Sequence, residues 1–176
     1  HQACLGLRSA FIVKDSLNRD EFRRVVSARD LYSAVSGIKA IGYVARLEND
    51  PAIIEEFVAT NRRDNKPGFR VKAPPGIADP ASMEEERWIV QFLEANESLA
   101  GAIGIDMKLD PDRSRAANQA MLRGDAAITR ITDLWIRSEN RQGFVMFQPV
   151  YRSTSIPEDE SQREAACRGW MYMPIS

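Results

Sequence analysis

Three Asp-Pro pairs constrain the fold of this chain more than any other feature, in the segments NDPAIIEEF, ADPASMEEER and LDPDRSRA. Each pair puts an aspartate where it can cap a helix and a proline at the first helical residue, where a missing N–H costs nothing. Acidic residues follow in the first turn, where the helix dipole favours negative charge. The pairs therefore predict helices over residues 51–63, 80–86 and 111–123.

A long N-terminal helix is predicted from the spacing of apolar residues. Phe22 and Val26 belong to a set that recurs at helical intervals through residues 19–47. A helix of this length exceeds the globular norm and needs a partner along its length. We therefore expect a helical stalk over residues 1–48, through which the chain forms a homodimer.

Strand-like segments lie between and after the predicted helices. The segment RWIVQFLEA places Trp88, Val90 and Phe92 on one face, and the polar segment 153–165 is expected to be a loop. Little room remains for right-handed crossovers late in the chain, which favours a mainly antiparallel sheet of five strands. The expected strands cover residues 68–72, 87–95, 126–134, 143–152 and 169–175.

Composition narrows the class of protein. The chain has 24 Lys plus Arg against 25 Asp plus Glu, so it lacks the basic footprint of a nucleic-acid binder. A hydrophobic fraction of 44% indicates a globular domain, and no apolar run reaches the roughly 18 residues that cross a bilayer. The predicted fold class is α+β, with the stalk over 1–48 and a lobe over 49–176.

The inventory of reactive residues disfavours catalysis. The single histidine is His1, which removes most acid–base, triad and zinc schemes. Phosphate loops, nucleophile elbows and paired-cysteine motifs are missing from the sequence. Cys4 and Cys167 fit no metal or redox spacing, and either remain free or form a disulfide in an oxidising compartment. We predict a non-enzymatic domain without metal or cofactor.

Asp106 raises a specific question, because it directly follows the apolar run 99–105, where burial of a carboxylate is expensive. One possibility is structural: the carboxylate caps the region of the 111–123 helix or pairs with Arg113 or Arg115. The other is that the carboxylate faces a bound ligand. The residues alone leave both possibilities open.

Three ordered segments resemble the CHASE domain: VSGIKAIGYVARL, then the stretch from WIVQFLEA through GIDMKLDPDRSRAANQAMLRGDAAITRITDL, then GFVMFQPVYR. The resemblance covers about residues 20–175. It departs where this chain has Ile89 and Ala95 in place of family prolines. CHASE domains are extracytoplasmic sensors of membrane receptors, found before histidine kinase, diguanylate cyclase or phosphodiesterase modules.

The resemblance also implies a fold and a site. The family has a helical stalk and two PAS-like lobes, with ligand in the distal lobe, and we expect this apparently truncated chain to hold the stalk and that lobe. In cytokinin-binding members an aspartate binds the adenine ring, and Asp106 matches it; the backbone of Ile128 matches a second contact, with Thr129 beside it. The other expected pocket walls are Trp88, Phe92, Ile103, Phe147 and Trp170.

These observations lead to two leading hypotheses. The first is a periplasmic ligand-sensing domain of a membrane-anchored receptor that binds a small planar molecule, an adenine-type cytokinin being one candidate. The second is a dimerisation or partner-binding ectodomain without a small ligand, in which the aromatic residues form core. A hydrolase using paired carboxylates is a third hypothesis, which the missing histidine disfavours.

Overall fold

The computed structural model describes residues 16–28, 36–78, 84–95, 100–135 and 141–176. In these ranges there are four α-helices: α1 (Arg19–Ser27), α2 (Pro51–Arg63), α3 (Pro111–Arg123) and α4 (Glu160–Ala166). There are six strands: β1 (Ala40–Glu48), β2 (Glu86–Ala95), β3 (Ala127–Ile128), β4 (Thr132–Asp133), β5 (Gln142–Tyr151) and β6 (Cys167–Ile175). Two short 3-10 turns cover Ala100–Ala102 and Met107–Leu109.

The strands form one antiparallel sheet in the order β2-β1-β6-β5-β3, with β4 paired to β5. The predicted α+β class and antiparallel arrangement are confirmed, but the sheet has six strands rather than five. Strand β1 is added between β2 and β6, and the 126–134 segment divides into the two short strands β3 and β4, whereas the expected strand over 68–72 does not form.

Residues 40–48 form strand β1, so the prediction that the helix continues through them is wrong. The first six residues of β1 are buried, on both faces of the sheet. When a segment is apolar on all sides, its periodicity cannot distinguish a strand from a buried helix. Gly42 indicates the close packing, since a Cβ there would lie 2.6 Å from the Phe92 carbonyl oxygen. Residues 1–15 and 29–35 of the expected stalk lie outside the described residues.

Helix α1 packs on one face of the sheet. It begins with a capping box, in which Asn18 and Glu21 bond each other's backbone N–H groups. Its buried residues Phe22 and Val26 join Tyr43, Phe92 and Met171 of the strands in one apolar cluster. The apolar stripe of α1 is therefore used within its own chain.

Helix α3 packs on the opposite face of the sheet. Its small residues Ala116, Ala117 and Ala120 are buried and allow close approach, and the Trp170 indole donates to the Ala117 carbonyl at 2.8 Å. The predicted helices over 51–63 and 111–123 are confirmed at both ends. Gly124 ends α3 with φ +73°, a left-handed conformation that glycine adopts without strain.

Three local predictions are corrected. Residues 68–72 form no strand and contribute one isolated bridge, Lys72 with Ile105. Of the helix predicted over 80–86, residues 80–83 lie outside the described ranges and Glu86 begins β2. The expected loop at 153–165 contains most of α4, whose cap Asp159 accepts from Gln162 N at 2.8 Å.

A bulge in β2 separates side chains that simple alternation would put together. Tyr43 pairs with Phe92, whereas Val44 pairs with Val90, so Gln91 is the extra residue. Trp88 and Val90 therefore lie in the cluster under α3, and Phe92 lies in the cluster under α1. The prediction of one shared face is wrong, because a bulge inverts the alternation on one side of it.

Candidate functional site

The Asp106 carboxylate lies beside β2, at the start of the Met107–Leu109 turn, and is completely buried. Its Oδ2 accepts from Arg87 Nε at 2.5 Å. Its Oδ1 accepts from the backbone N–H of Trp88 at 2.9 Å and of Lys108 at 3.1 Å. Both oxygens therefore bind groups of the chain itself.

This geometry agrees with the structural interpretation of Asp106, although the partner is Arg87 rather than Arg113 or Arg115. Those two arginines instead pair with Asp110 and Asp112, each at 3.0 Å. Burial raises the pKa of Asp106, while the bonds from Trp88, Arg87 and Lys108 act in the opposite direction. Direct contact between Asp106 and a ligand stays a prediction.

A cleft opens next to Asp106, where β2 begins and faces α3 and α4. Its volume is about 480 Å³, which lies within the range of about 300–1,000 Å³ that is usual for small-molecule sites. We refer to it as the Trp88 cleft. The residues that define it here are Glu84, Glu86, Trp88, Lys108, Asn118 and Glu164.

Asp106 holds the two sides of this cleft together. Trp88 and Lys108 both line the cleft, and their backbone N–H groups bind the same oxygen, Asp106 Oδ1. The Lys108 ammonium also lies 5.4 Å from the centre of the Trp88 ring, within cation–π distance. Asp106 is therefore a positioning residue for the cleft, acting through the backbone of its neighbours.

Carboxylates predominate among the charged groups of the cleft. Glu86 binds the Arg46 guanidinium at 2.7 Å and the Trp88 indole N–H at 3.0 Å, and Glu84 lies 3.4 Å from the Lys108 ammonium. Burial opposes ionisation of Glu86, but the Arg46 and Trp88 hydrogen bonds and the Arg46 charge outweigh it and lower its pKa. Carboxylate oxygens are hydrogen-bond acceptors, so this wall of the cleft is suited to a ligand with N–H donors.

The other residues predicted for the site are dispersed. The ring centre of Trp170 lies 4.5 Å from that of Trp88 in the core, with the two rings tilted by 49°, and Phe147 is buried in the same cluster. Ile103 is half-buried, and Phe92 lies on the opposite face.

Ile128 and Thr129, matched to the family through the resemblance, lie on and just after the edge strand β3. The Ile128 side chain is 57% exposed. Thr129 is buried, and its Oγ1 accepts from Val145 N at 2.9 Å. The structure therefore brings Asp106 and Trp88 together at the cleft, with Trp170 behind them. Ile128 and Thr129 lie elsewhere, at the edge of the sheet.

Sequence reasoning missed the charged residues of the cleft. The run MEEER lies in the segment predicted to form the 80–86 helix, so this prediction does not indicate Glu84 and Glu86 as residues of a site on the sheet. A usable signal was present, because Glu86 and Trp88 are two residues apart and share one face of a strand. Lys108 and Arg46 had no such signal, since their positions depend on the turn after Asp106 and on strand β1.

The remaining features that bear on function are thiols, metal-binding groups and membrane-spanning helices within the described residues. Cys167 is a free, buried thiol, and burial raises its pKa to about 11. The described residues contain no group of three or more His, Cys, Asp or Glu placed to hold a metal ion. Within those same ranges, no helix combines the length and apolarity needed to cross a membrane.

The fold and the cleft define an α+β domain with helices on both faces of an antiparallel sheet and a polar cleft at one end. The CHASE domain family model matches residues 15–176. The chain therefore belongs to the CHASE domain family, whose members are extracytoplasmic sensor domains of membrane receptors, so it is a sensory rather than a catalytic domain. No curated protein matches the chain.

Proposed function

We propose that the chain is the ligand-sensing domain of a membrane-anchored receptor and that the ligand binds in the Trp88 cleft. The observation that carries this is the buried oxygen Asp106 Oδ1, which binds the backbone of both Trp88 and Lys108. A buried charge fixed in this way gives the cleft a preformed shape. The receptor is anchored in the inner or plasma membrane, with this domain outside the cytoplasm and a histidine kinase or cyclic-di-GMP enzyme as output.

The proposed ligand is a small planar nitrogen heterocycle that carries N–H donors, such as an adenine-type cytokinin. Glu84, Glu86 and Glu164 line the cleft and can accept hydrogen bonds from such donors. Next to these carboxylates, Trp88 provides the edge of an aromatic ring and Lys108 provides a positive charge. In this arrangement Asp106 positions the cleft through the backbone N–H groups of Trp88 and Lys108.

The sheet offers a route from the cleft to the N-terminal helix. Trp88 and Phe92 lie on the same strand, on opposite faces, and Phe92 stacks 5.1 Å from Phe22 of α1. We propose that ligand shifts the packing of a PAS-like lobe against this helical stalk. Only a difference in ligand affinity between the two packings can supply the free energy.

Calorimetric titration with isopentenyladenine tests the ligand. We expect heat of binding for the wild type and about tenfold weaker binding for Glu84→Gln, since a charge-assisted hydrogen bond is lost. Glu158→Gln is the matched control, because Glu158 is exposed and lies outside the cleft. Absent heat in the wild type, or equal affinities in both variants, would remove the adenine proposal and leave the sensor family unaffected.

A partner-binding function without a small ligand is the second candidate. It is supported by three exposed apolar side chains on β3, β5 and the β3–β4 connection: Ile128, Ile131 and Phe144. Sedimentation velocity should then show a concentration-dependent homodimer that Ile131→Ser weakens. If the chain sediments as a monomer at all concentrations, this candidate is excluded. A dimer that Ile131→Ser leaves intact would instead favour the N-terminal helix as the interface.

A further inference from the structure

A second cavity lies on the α1 face of the sheet and shares only Arg46 with the Trp88 cleft. Its volume is about 490 Å³. Its walls come from the segment just before α1, from α2 and from the sheet, through Leu17, Phe57 and Phe92 respectively. Tyr43 and Ala45 of β1 also line it and are themselves buried. We refer to it as the arginine cavity.

The charge of this cavity is opposite to that of the cleft. Three arginines line it, and none of its lining residues is Asp or Glu. The charge of Arg46 is compensated by Glu86, but Arg152 makes no side-chain hydrogen bond or ion pair among the residues that the structure describes. Arg168 adds a further positive charge at the same wall. The cavity therefore combines an apolar aromatic wall with positively charged groups and has no carboxylate among its lining residues.

We propose that the arginine cavity binds a small organic carboxylate with an aromatic body. The carboxylate would pair with Arg152 and Arg168, because a guanidinium matches the planar, two-oxygen geometry of a carboxylate. The ring would lie against Phe92 and Tyr43, whose rings stand 6.3 Å apart. This site takes a ligand of different chemistry from the one proposed for the Trp88 cleft, and the two cavities share only Arg46 at their margins.

Occupancy of this cavity would act on the N-terminal helix. Leu17 immediately precedes the capping residue of α1, and Arg19 at the start of the helix binds Asp64 at the end of α2. A ligand that contacts Leu17, Phe57 and Phe92 together would bridge both helices to the sheet. It would therefore stabilise the packing of α1 and provide a second input to the same helix.

Titration of the 176-residue chain with phenylacetate, followed by ¹H–¹⁵N NMR, tests this site. We expect saturable shifts at Ala45 and Gln91, which line the arginine cavity, and none at Lys108 of the Trp88 cleft. Phenylacetamide keeps the ring without the charge, and acetate keeps the charge without the ring. Both should bind at least about tenfold more weakly, since each lacks one of the two interactions.

Arg152→Gln supplies the variant test and Arg130→Gln the matched control, because Arg130 is exposed and lies outside the cavity. Arg152→Gln should weaken phenylacetate binding about tenfold or more, whereas Arg130→Gln should not change it. Circular dichroism checks that both variants remain folded. The proposal is overturned if phenylacetate fails to bind, if the amide binds equally well, or if the two variants behave alike.

Discussion

The Asp106–Arg87 pair shows what a buried charge does in this domain at the scale of single residues. Both side chains are almost fully excluded from solvent, so each needs the other's charge. The other carboxylate oxygen, Oδ1, accepts hydrogen bonds from the backbone N–H groups of Trp88 and Lys108, which lie on two sides of the Trp88 cleft. A residue that the sequence marked as unusual therefore has a structural explanation before any ligand is considered.

Asp106→Ala should be strongly destabilising. The substitution removes the carboxylate that faces the buried Arg87 guanidinium, and breaking a buried pair from one side costs about 3–5 kcal/mol. Urea unfolding of wild type and variant measures the difference. Asp112→Ala is the control, because its pair with Arg115 is exposed and should contribute less than about 1 kcal/mol. Equal losses in the two variants would show that the Asp106 pair is not a buried one.

Glu86→Gln tests the electrostatics of the cleft. A carboxyl whose pKa is lowered on folding contributes stability that is present above its unfolded pKa and is lost as the pH falls through its folded value. The wild type should therefore lose more unfolding free energy than Glu86→Gln between about pH 6 and about pH 3. Denaturant unfolding at each pH measures both curves. Parallel curves would contradict a lowered pKa.

Strand β2 shows, at the scale of elements, how one extra residue redirects a set of side chains. The bulge at Gln91 places Trp88 toward α3 and Phe92 toward α1. Strand β2 therefore supplies an aromatic side chain to each site: Trp88 to the Trp88 cleft and Phe92 to the arginine cavity. Without the bulge the two aromatic residues would share one face.

A double-mutant cycle tests this assignment of faces. Phe22→Leu and Phe92→Leu should show a coupling free energy of about 0.5 kcal/mol or more, because their rings stack at 5.1 Å. Trp88→Leu and Phe92→Leu should be additive within about 0.5 kcal/mol, because the two rings lie on opposite faces. Thermal or urea unfolding supplies all the values. Coupling between Trp88 and Phe92 with none to Phe22 would contradict the bulge.

The elements that the sequence predicted well are those with local signals. Helices α2 and α3 have an aspartate cap followed by proline, and α3 ends at a glycine, so a few neighbouring residues determine their bounds. Strand β1 and the bulge were missed because they depend on pairing with segments far along the chain. Helix α4 has a capping aspartate, Asp159, but the polar composition around it concealed the signal.

The central sheet organises the whole molecule, since it separates two cavities of opposite charge. The division into a helical stalk over 1–48 and a lobe over 49–176 stays a prediction. Because β1 is a central strand, residues 40–48 belong with the sheet in any such division. A change of packing on either face would be transmitted through the strands that both clusters share.

The candidate site was predictable only in part at this scale. Asp106 was expected to be a site residue from its position after an apolar run and from the family resemblance, and Trp88 was expected as an apolar pocket wall on the sheet. The side chains that complete the cleft come from β1, β2, the turn after Asp106 and α4. No local pattern relates residues that meet only through the sheet, so Arg46 and Glu164 could not be assigned from sequence.

A titration of the chain with isopentenyladenine, followed by ¹H–¹⁵N NMR, tests the central claim that the Trp88 cleft is the ligand site. We predict that the Trp88 indole N–H and the Lys108 amide shift most, whereas Ile128 and Thr129 remain unchanged. Those two residues provide the internal control, because the family resemblance alone places ligand beside them. Shifts centred on Ile128 and Thr129, or no shift at any residue, would contradict the account.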